Sequence, residues 1–208
     1  LFAEHFAGLI GADEVVAVDV PGRRGAVTTV AVDEDFTNVN VDKMPKLGAV
    51  FDRKNGTITA ANASTLNDGA AALMLMTPAP PEAEGLTPLA SIIGFGDAAQ
   101  EPEDFATAPA LAVPRALAAA GVELADIGLH EINEAFSVVA LANMQLLGLD
   151  HDKVNVAGGA VSIGHPIGSS GARIVITLVN QMCQRGVELG AASIWCVLFS
   201  RWVHRRAY

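Results

Sequence analysis

A single histidine, His165, lies in a glycine-rich stretch that runs from Asn155 to Gly171. The stretch reads as an apolar strand, a tight turn and the start of a helix. Glycine removes side chains where a ligand or another strand must come close, and Pro166 fixes the backbone just after the histidine. Such a turn holds one side chain and several backbone N–H groups against a substrate. A purely structural turn around a buried histidine would give the same pattern, so both interpretations stay open here.

The helix predicted from Ala172 to Gln184 begins beside this turn. Its apolar residues recur at helical spacing, and Ser169 and Ser170 are candidate N-caps. The positive end of the helix dipole therefore points back toward His165. A neutral imidazole is favoured there, usable as a base or as a hydrogen-bond donor.

Asn133 begins an Asn-Glu-Ala-Phe segment where a predicted strand becomes a predicted helix. Its side chain could simply cap that helix, or it could point into a cleft. His165 follows 32 positions later, one strand–helix repeat along the chain. Because the ends of successive strands lie side by side in a layered sheet, the two side chains can face one point. An Asn, directly or through water, together with a His donor is a workable oxyanion hole for a carbonyl group.

Alternating strands and helices position these residues. The pattern predicts a hairpin from segments 14–20 and 26–32, a short strand at 57–61, and a helix or strand at 70–76. After a proline-rich boundary at 78–81, it predicts strands at 89–95, 127–132, 153–157 and 191–199, and helices at 110–120, 134–147 and 172–184. This rhythm is typical of an α/β layered domain, whose sites gather in loops at one end of the sheet.

The composition excludes several classes of protein. Hydrophobic residues make up 51% and charged residues 17%, enough apolar material for a core and too little charge for a disordered chain. The net charge of −10 disfavours DNA, RNA and anionic membranes as partners. The two cysteines, Cys183 and Cys196, make neither a disulfide framework nor a zinc site. No apolar run of about 20 residues predicts a membrane span. A loose dinucleotide pattern at 94–99 is interrupted by 100–104 and does not open a helix.

Taken together, three motifs resemble the thiolase family. They are Asn-Glu-Ala-Phe at 133–136, Asn-x-x-Gly-Gly-Ala-Val-Ser-x-Gly-His-Pro at 155–166, and the segment 61–71. The resemblance covers about residue 10 to Ile194. It implies an α/β protein with the layered αβαβα thiolase fold, here with an incomplete N-terminal half. It also implies acetyl-CoA C-acetyltransferase chemistry of the acetoacetyl-CoA type, a reversible Claisen condensation through an acyl-cysteine.

The resemblance also implies roles for particular residues. His165 resembles the histidine that activates the nucleophilic cysteine and helps to hold the thioester oxygen. Asn133 resembles the asparagine that orients an oxyanion-hole water. Ser64 resembles the serine that contacts the pantetheine arm of coenzyme A, Phe136 resembles an aromatic residue lining the pantetheine tunnel, and Gly164 belongs to the substrate-binding loop.

No cofactor is required for this chemistry, and the expected substrates are acetyl-CoA and acetoacetyl-CoA. In potassium-activated members, matching positions coordinate the cation; here they are Ala60, Ala61, Ser64 and Val161. The family forms homo-oligomers, an assembly that we do not expect from this chain alone. The resemblance predicts a mitochondrial location, with cytoplasmic or peroxisomal locations as alternatives.

The resemblance predicts four parts. They are the end of the loop domain at 1–50, the end of the N-terminal thiolase domain at 51–87, the C-terminal thiolase domain at 88–194, and an atypical tail at 195–208. This tail replaces the final strand of the family's sheet. We interpret it as a non-homologous terminus, the alternative being a tail for targeting or for a membrane surface.

Both catalytic cysteines of the family are absent from their places. The first would precede Leu1, so we expect an incomplete chain. The second would stand where this chain has Trp195. Cys196 comes one residue later, and one step along a strand turns a side chain to the opposite face. We therefore predict that this chain cannot run the reaction alone. The alternatives are a non-catalytic subunit that binds coenzyme A or forms heterodimers, and a fragment that does not fold.

Overall fold

The computed structural model describes residues 15–32, 39–77, 88–194 and the backbone of a strand at 199–204. A two-stranded antiparallel sheet comes first, formed by β1 (Val18–Pro21) and β2 (Val27–Val30). A short 3-10 turn at Arg23–Gly25 joins them. This arrangement confirms the predicted hairpin, with shorter strands than the sequence pattern indicates.

Residues 47–77 contain no helix and no strand, so the strand predicted at 57–61 and the regular element predicted at 70–76 are wrong. Asn62 explains the first error. Its side-chain oxygen accepts from the N–H of Thr59, and its amide donates to the carbonyl of Thr57. The backbone groups that a strand partner would satisfy are thus bonded locally. The single ladder contact of this segment is a bridge between Ala63 and Phe136.

A four-stranded mixed sheet forms the centre of the described structure, in the order β3-β6-β5-β4. β4 and β5 run parallel, and β6 runs antiparallel to both of its neighbours, β5 and β3. The strands are β3 (Ser91–Gly96), β4 (Leu129–Ile132), β5 (Leu189–Ile194) and β6 (Phe199–His204). The α-helices are α1 (Ala108–Ala120), α2 (Ser137–Leu147), α3 (Ala160–Ile163) and α4 (Ser170–Arg185). Further 3-10 turns lie at Val41–Lys46, Pro102–Thr107, Leu124–Asp126 and His151–Lys153.

Helices cover both faces of this sheet. Ala191 belongs to a buried cluster with Val113 of α1, whereas the next residue, Ala192, packs in a cluster with Leu178 of α4. Successive residues of a strand point to opposite faces, so α1 and α4 lie on opposite sides of β5. The result is the α/β layered arrangement that the alternating pattern predicts.

Helix ends follow the sequence closely, whereas the strand predicted at 153–157 does not form and the helix predicted from residue 134 begins only at Ser137. Gly121 and Gly148 end α1 and α2 with φ of 69° and 66°, a left-handed conformation that glycine adopts without strain. The strand predicted at 153–157 is wrong. Only Val154 bridges to β4, through His130, and the next residue, Asn155, has φ of 47° and leaves the extended conformation.

The structure corrects the prediction for the C-terminal tail. The tail was expected to stand in place of the final strand of the sheet, but part of it is itself a strand of the sheet. Its residues Phe199–His204 form β6, which lies between β3 and β5. The sequence that departs from the family pattern thus supplies a central strand through its backbone. Within the described ranges, none of the helices has the length and apolar character needed to cross a bilayer.

His130, on β4, gives the sheet a predicted pH dependence. It is 4% exposed, and burial, together with the positive charge of Lys153, lowers its pKa to about 4. The unfolded chain binds a proton near pH 6.5, so stability is complete above that pH and falls as the pH drops toward 4. The loss from this group is about 3 kcal/mol.

Urea unfolding at pH 7 and at pH 4 measures this effect. We expect His130→Leu, which removes the titrating group, to lose about 3 kcal/mol less between the two pH values than the unmodified chain. His130→Gln serves as a second neutral variant that keeps a polar group. Equal losses in all three proteins would show that His130 is not the group responsible.

Candidate active site

Asn133 and His165 meet at the carboxyl edge of the sheet. The side-chain amide of Asn133 donates to Nε2 of His165 at 3.4 Å, and both residues are buried, with 0% and 4% exposure. The N–H of Asn133 donates to the carbonyl of Ser193, which fixes the residue to the end of β5. Asn133 does not cap a helix, because α2 begins only at Ser137, with Phe136 at the N-cap position. Of the two interpretations of Asn133, the geometry excludes capping and turns the buried side chain toward His165.

The other half of the Asn133 amide is an open acceptor. Its Oδ1 atom is buried and has no hydrogen-bond partner within the described part of the chain. A buried amide oxygen without a partner costs about 1–3 kcal/mol. This oxygen can accept a hydrogen bond from a ligand or a water, beside the imidazole of His165.

Two hydrogen bonds hold His165 in place. Its backbone N–H donates to the carbonyl of Thr65 at 2.9 Å, and its Nδ1 lies 2.6 Å from Oγ of Ser170. Burial, and secondly the charge of Arg173, lower the pKa of His165 below its ordinary value. The imidazole is therefore neutral at pH 7, as the sequence predicts, and can accept a proton.

Neither serine at the start of α4 makes an N-capping hydrogen bond, although Ser169 is the N-cap residue as predicted. Ser169 occupies the N-cap position, but its hydroxyl donates backward to the carbonyl of Pro166 and makes no capping hydrogen bond. Ser170 is the first residue of the helix and turns its hydroxyl toward His165 and the same carbonyl. The prediction of side-chain capping is thus wrong, and the interaction of Ser170 with the histidine was not anticipated.

Gly164 needs to be glycine for two reasons. Its φ is 90°, and an added Cβ would clash with the side chain of Asn67. The side-chain oxygen of Asn67 also accepts from the hydroxyl of Thr65. The 64–69 segment, which contains both residues, therefore packs directly against Gly164. Gly164 thus lies where the 64–69 segment contacts the histidine loop, which is residues 164–169 between α3 and α4.

Ser64 and Phe136 both adjoin Ala135, Ser64 through hydrogen bonds and Phe136 along the chain. Both the N–H and the hydroxyl of Ser64 donate to the carbonyl of Ala135, at 3.0 and 2.9 Å. The ring of Phe136 makes an edge-to-face contact with Phe51 at 5.6 Å and a tilted contact with Phe105 at 6.1 Å. Phe51 is 70% exposed, so this aromatic cluster has an open apolar side next to the Asn133 segment.

Sequence reasoning missed a polar clamp between Glu134 and Asn155. Asn155 uses its whole amide: Oδ1 accepts from the N–H of Ile132, and Nδ2 donates to the Ile132 carbonyl and to Oε1 of Glu134 at 2.6 Å. The second oxygen of Glu134 accepts from the N–H of Val161. These hydrogen bonds, which we call the clamp, connect the segment that carries Asn133 to α3, just before the histidine loop. Only the positive φ of Asn155, a conformation that asparagine tolerates, had a sequence signal.

The four positions matched to a potassium site lie near residues 134–136 in space or along the chain. Ser64 bonds to Ala135, Val161 bonds to Glu134, and Ala60 and Ala61 precede the Ala63–Phe136 bridge. In the described ranges, no group of three or more His, Cys, Asp or Glu side chains could hold a metal ion. A potassium ion would use main-chain and hydroxyl oxygens, so its presence stays a prediction.

Two family models match the chain: the thiolase C-terminal domain over residues 86–198 and the thiolase N-terminal domain over residues 8–79. The chain belongs to the thiolase family. The acetyl-CoA acetyltransferase of Schizosaccharomyces pombe is 53% identical over 182 residues, covering 87% of this chain and 46% of that protein. The mitochondrial acetyl-CoA acetyltransferase of Danio rerio is 57% identical over 183 residues, covering 88% and 43%.

The crystal structure of the Bacillus anthracis acetyl-CoA acetyltransferase matches with a TM-score of 0.85 at 38% identity. The match covers 92% of this chain and 49% of that one, and it confirms the thiolase-like α/β fold. The chain spans about half the length of the curated relatives it matches. Trp195, which the resemblance matches to the family's second cysteine, and Cys196 lie outside the described residues.

Proposed function

We propose that this chain carries the histidine–asparagine part of a thiolase active site and binds coenzyme A thioesters of short acyl groups. The observation that carries the proposal is the buried pair of Asn133 and His165, with one amide oxygen open as an acceptor. The chemistry is that of an acetyl-CoA C-acetyltransferase, with acetyl-CoA and acetoacetyl-CoA as substrates. No cofactor takes part in the bond-making steps.

In this proposal, His165 accepts a proton from the thiol nucleophile and then donates from Nε2 to the thioester oxygen. Asn133 supports the same oxygen through a water held at Oδ1. Ser64 bonds to Ala135, and Phe136 follows it in the chain, so in this proposal the two residues form the wall along which the pantetheine arm extends. Gly164 keeps the loop close to the 64–69 segment, which leaves room for the thioester.

The described residues include one cysteine, Cys183, on α4. His165 precedes that helix and bonds to its first residue, whereas Cys183 lies in its last turn. A helix rises 1.5 Å per residue, so about 20 Å separates the two ends. Cys183 is therefore not the nucleophile that His165 would activate. Cys196 stands one residue past the position that the resemblance gives to the family's second cysteine, so we infer that the chain alone does not catalyse thiolysis.

Two measurements test this function. In calorimetric titrations, we expect the chain to bind coenzyme A with a Kd at or below the millimolar range. Phe136→Ala should weaken binding about tenfold, because it removes the aromatic wall. Leu141→Ala, on the exposed side of α2, is the matched control. The absence of binding heat up to millimolar ligand would eliminate the proposal.

The second measurement follows the enolate absorbance of acetoacetyl-CoA in the presence of coenzyme A. We expect no loss above background from the purified chain. Turnover above background would show that the chain is a complete enzyme. Binding without turnover is the result expected from the proposed function, and it agrees equally with the second candidate, a non-catalytic subunit that binds coenzyme A or pairs with another thiolase chain.

Several further features belong to the same proposal. We place the chain in mitochondria, although relatives carry both mitochondrial and cytosolic names. Potassium is an optional activator at the Ala60, Ala61, Ser64 and Val161 positions. We retain the boundaries predicted after residues 50, 87 and 194, and we do not expect this chain alone to form the homo-oligomer of the family.

A further inference from the structure

We propose that Ser170 is a positioning residue that fixes the neutral tautomer of His165, with the proton on Nδ1 and the lone pair on Nε2. The role of this tautomer in catalysis rests on the proposed function, whereas the tautomer itself does not. The geometry itself concerns four groups in a row: the Asn133 amide, the His165 ring, the Ser170 hydroxyl and the Pro166 carbonyl.

The Ser170 hydroxyl has one hydrogen and two polar neighbours. Its Oγ lies 3.0 Å from the carbonyl oxygen of Pro166 and 2.6 Å from Nδ1 of His165. The hydroxyl has donor geometry toward the Pro166 carbonyl, which can only accept and which also receives the backbone N–H groups of Ser169 and Ser170. Its lone pairs then face Nδ1, and the short distance to that nitrogen requires an N–H on the histidine. Ser170 is 1% exposed, so no bulk water competes for these bonds.

The opposite side of the ring gives the same answer. Nδ2 of Asn133 carries only hydrogens, and it faces Nε2 of His165 at 3.4 Å. A proton on Nε2 would place two donors against each other inside the protein. With the proton on Nδ1, all three bonds point the same way, from Asn133 to His165, to Ser170 and to Pro166. Reversing this order would leave buried groups unpaired, at a cost of about 1–3 kcal/mol each.

This tautomer determines what His165 can do first. With its lone pair on Nε2, the ring takes the proton of a thiol, and the electron pair of the S–H bond stays on sulfur as a thiolate. The ring becomes an imidazolium, whose new Nε2–H can donate to a thioester oxygen. The Nδ1–H bond to Ser170 persists throughout. The opposite tautomer has no lone pair on Nε2 and could not take that proton.

Nitrogen NMR of the histidine rings tests the proposal on the full 208-residue chain, uniformly labelled with ¹⁵N, at pH 7.5. Ring nitrogens with and without a proton resonate far apart, and His165→Gln assigns the signals. We expect Nδ1 of His165 to be protonated and Nε2 to be bare. In Ser170→Ala, we expect His165 to be either mostly in the Nε2–H tautomer or in a mixture of both tautomers. Ser170→Thr, which keeps the hydroxyl, should restore the original pattern.

The neighbouring variant Ser169→Ala is the matched control and should leave the His165 signals unchanged. Asn133→Asp tests the other side of the ring without altering the start of α4. A carboxylate in place of the amide should draw a proton onto Nε2, so the variant remains informative if Ser170→Ala does not fold.

A proton on Nε2 in the unmodified chain would overturn the proposal. So would an unchanged tautomer in folded Ser170→Ala, or a bare Nε2 in Asn133→Asp. These spectra need no ligand, so failure of coenzyme A binding would affect the proposed function and leave the tautomer result standing.

Discussion

Ser200→Pro will unfold the sheet, with a loss of roughly 4 kcal/mol or more or no cooperative unfolding transition at all. Ser200 lies in β6, opposite Gly96 of β3 and Ser193 of β5. Proline has no N–H to donate, and a central strand has no solvent-facing edge where this loss is tolerated. Since small domains have a total stability of about 5–15 kcal/mol, one such loss removes a large fraction of it.

Urea denaturation followed by circular dichroism measures the effect. Ser200→Ala keeps the backbone donor and is the matched control, with an expected change within about 1 kcal/mol. A Ser200→Pro variant as stable as the Ser200→Ala variant would show that the tail is not part of the sheet. That result would favour the interpretation of residues 195–208 as a terminus outside the fold.

The sequence predicted the elements whose limits are set locally. Glycine adopts the left-handed conformation at a helix end without strain. Because Gly121 and Gly148 follow α1 and α2, both helix ends were predicted at the right residue. β6 could not be predicted in this way. A strand between two others is selected by the open backbone edges of β3 and β5, and the side chains of the tail carry little information about that choice.

The site divides in the same manner. The spacing of one repeat predicts that Asn133 and His165 lie close together, and they do. The predicted reason is only half right, because Asn133 follows β4 whereas the strand predicted before His165 does not form. The roles of Ser170 and Asn155 depend on single side-chain orientations. Serine at a helix start and asparagine in a turn both bond locally in most proteins, so their residue types do not predict contacts with His165 and Glu134.

Asn155→Ala is the second change with a large expected effect, a loss of about 3–5 kcal/mol in stability. It removes three hydrogen bonds, one of them to the Glu134 carboxylate at 2.6 Å. It also places alanine at φ of 47°, which costs about 1 kcal/mol. Urea denaturation gives the total loss of stability.

Asn155→Gly separates the two contributions, because glycine adopts the same φ without strain. It should be about 1 kcal/mol more stable than Asn155→Ala, with the remaining loss due to the hydrogen bonds. Asn155→Asp keeps the acceptor for Ile132 but faces Glu134 with a second carboxylate, so its stability should recover when the pH is lowered enough to protonate one of the pair. Equal stabilities for the Asn155→Ala and Asn155→Gly variants would exclude the backbone contribution.

The consequence for function follows from the position of the clamp. Glu134 adjoins Asn133, and its second oxygen bonds to Val161 in α3, just before the histidine loop. In Asn155→Gly, the His165 ring should therefore lose its fixed contact with the Asn133 amide, and coenzyme A binding should weaken about tenfold or more. Unchanged binding in a folded Asn155→Gly variant would show that the Asn133–His165 pair keeps its geometry without the clamp.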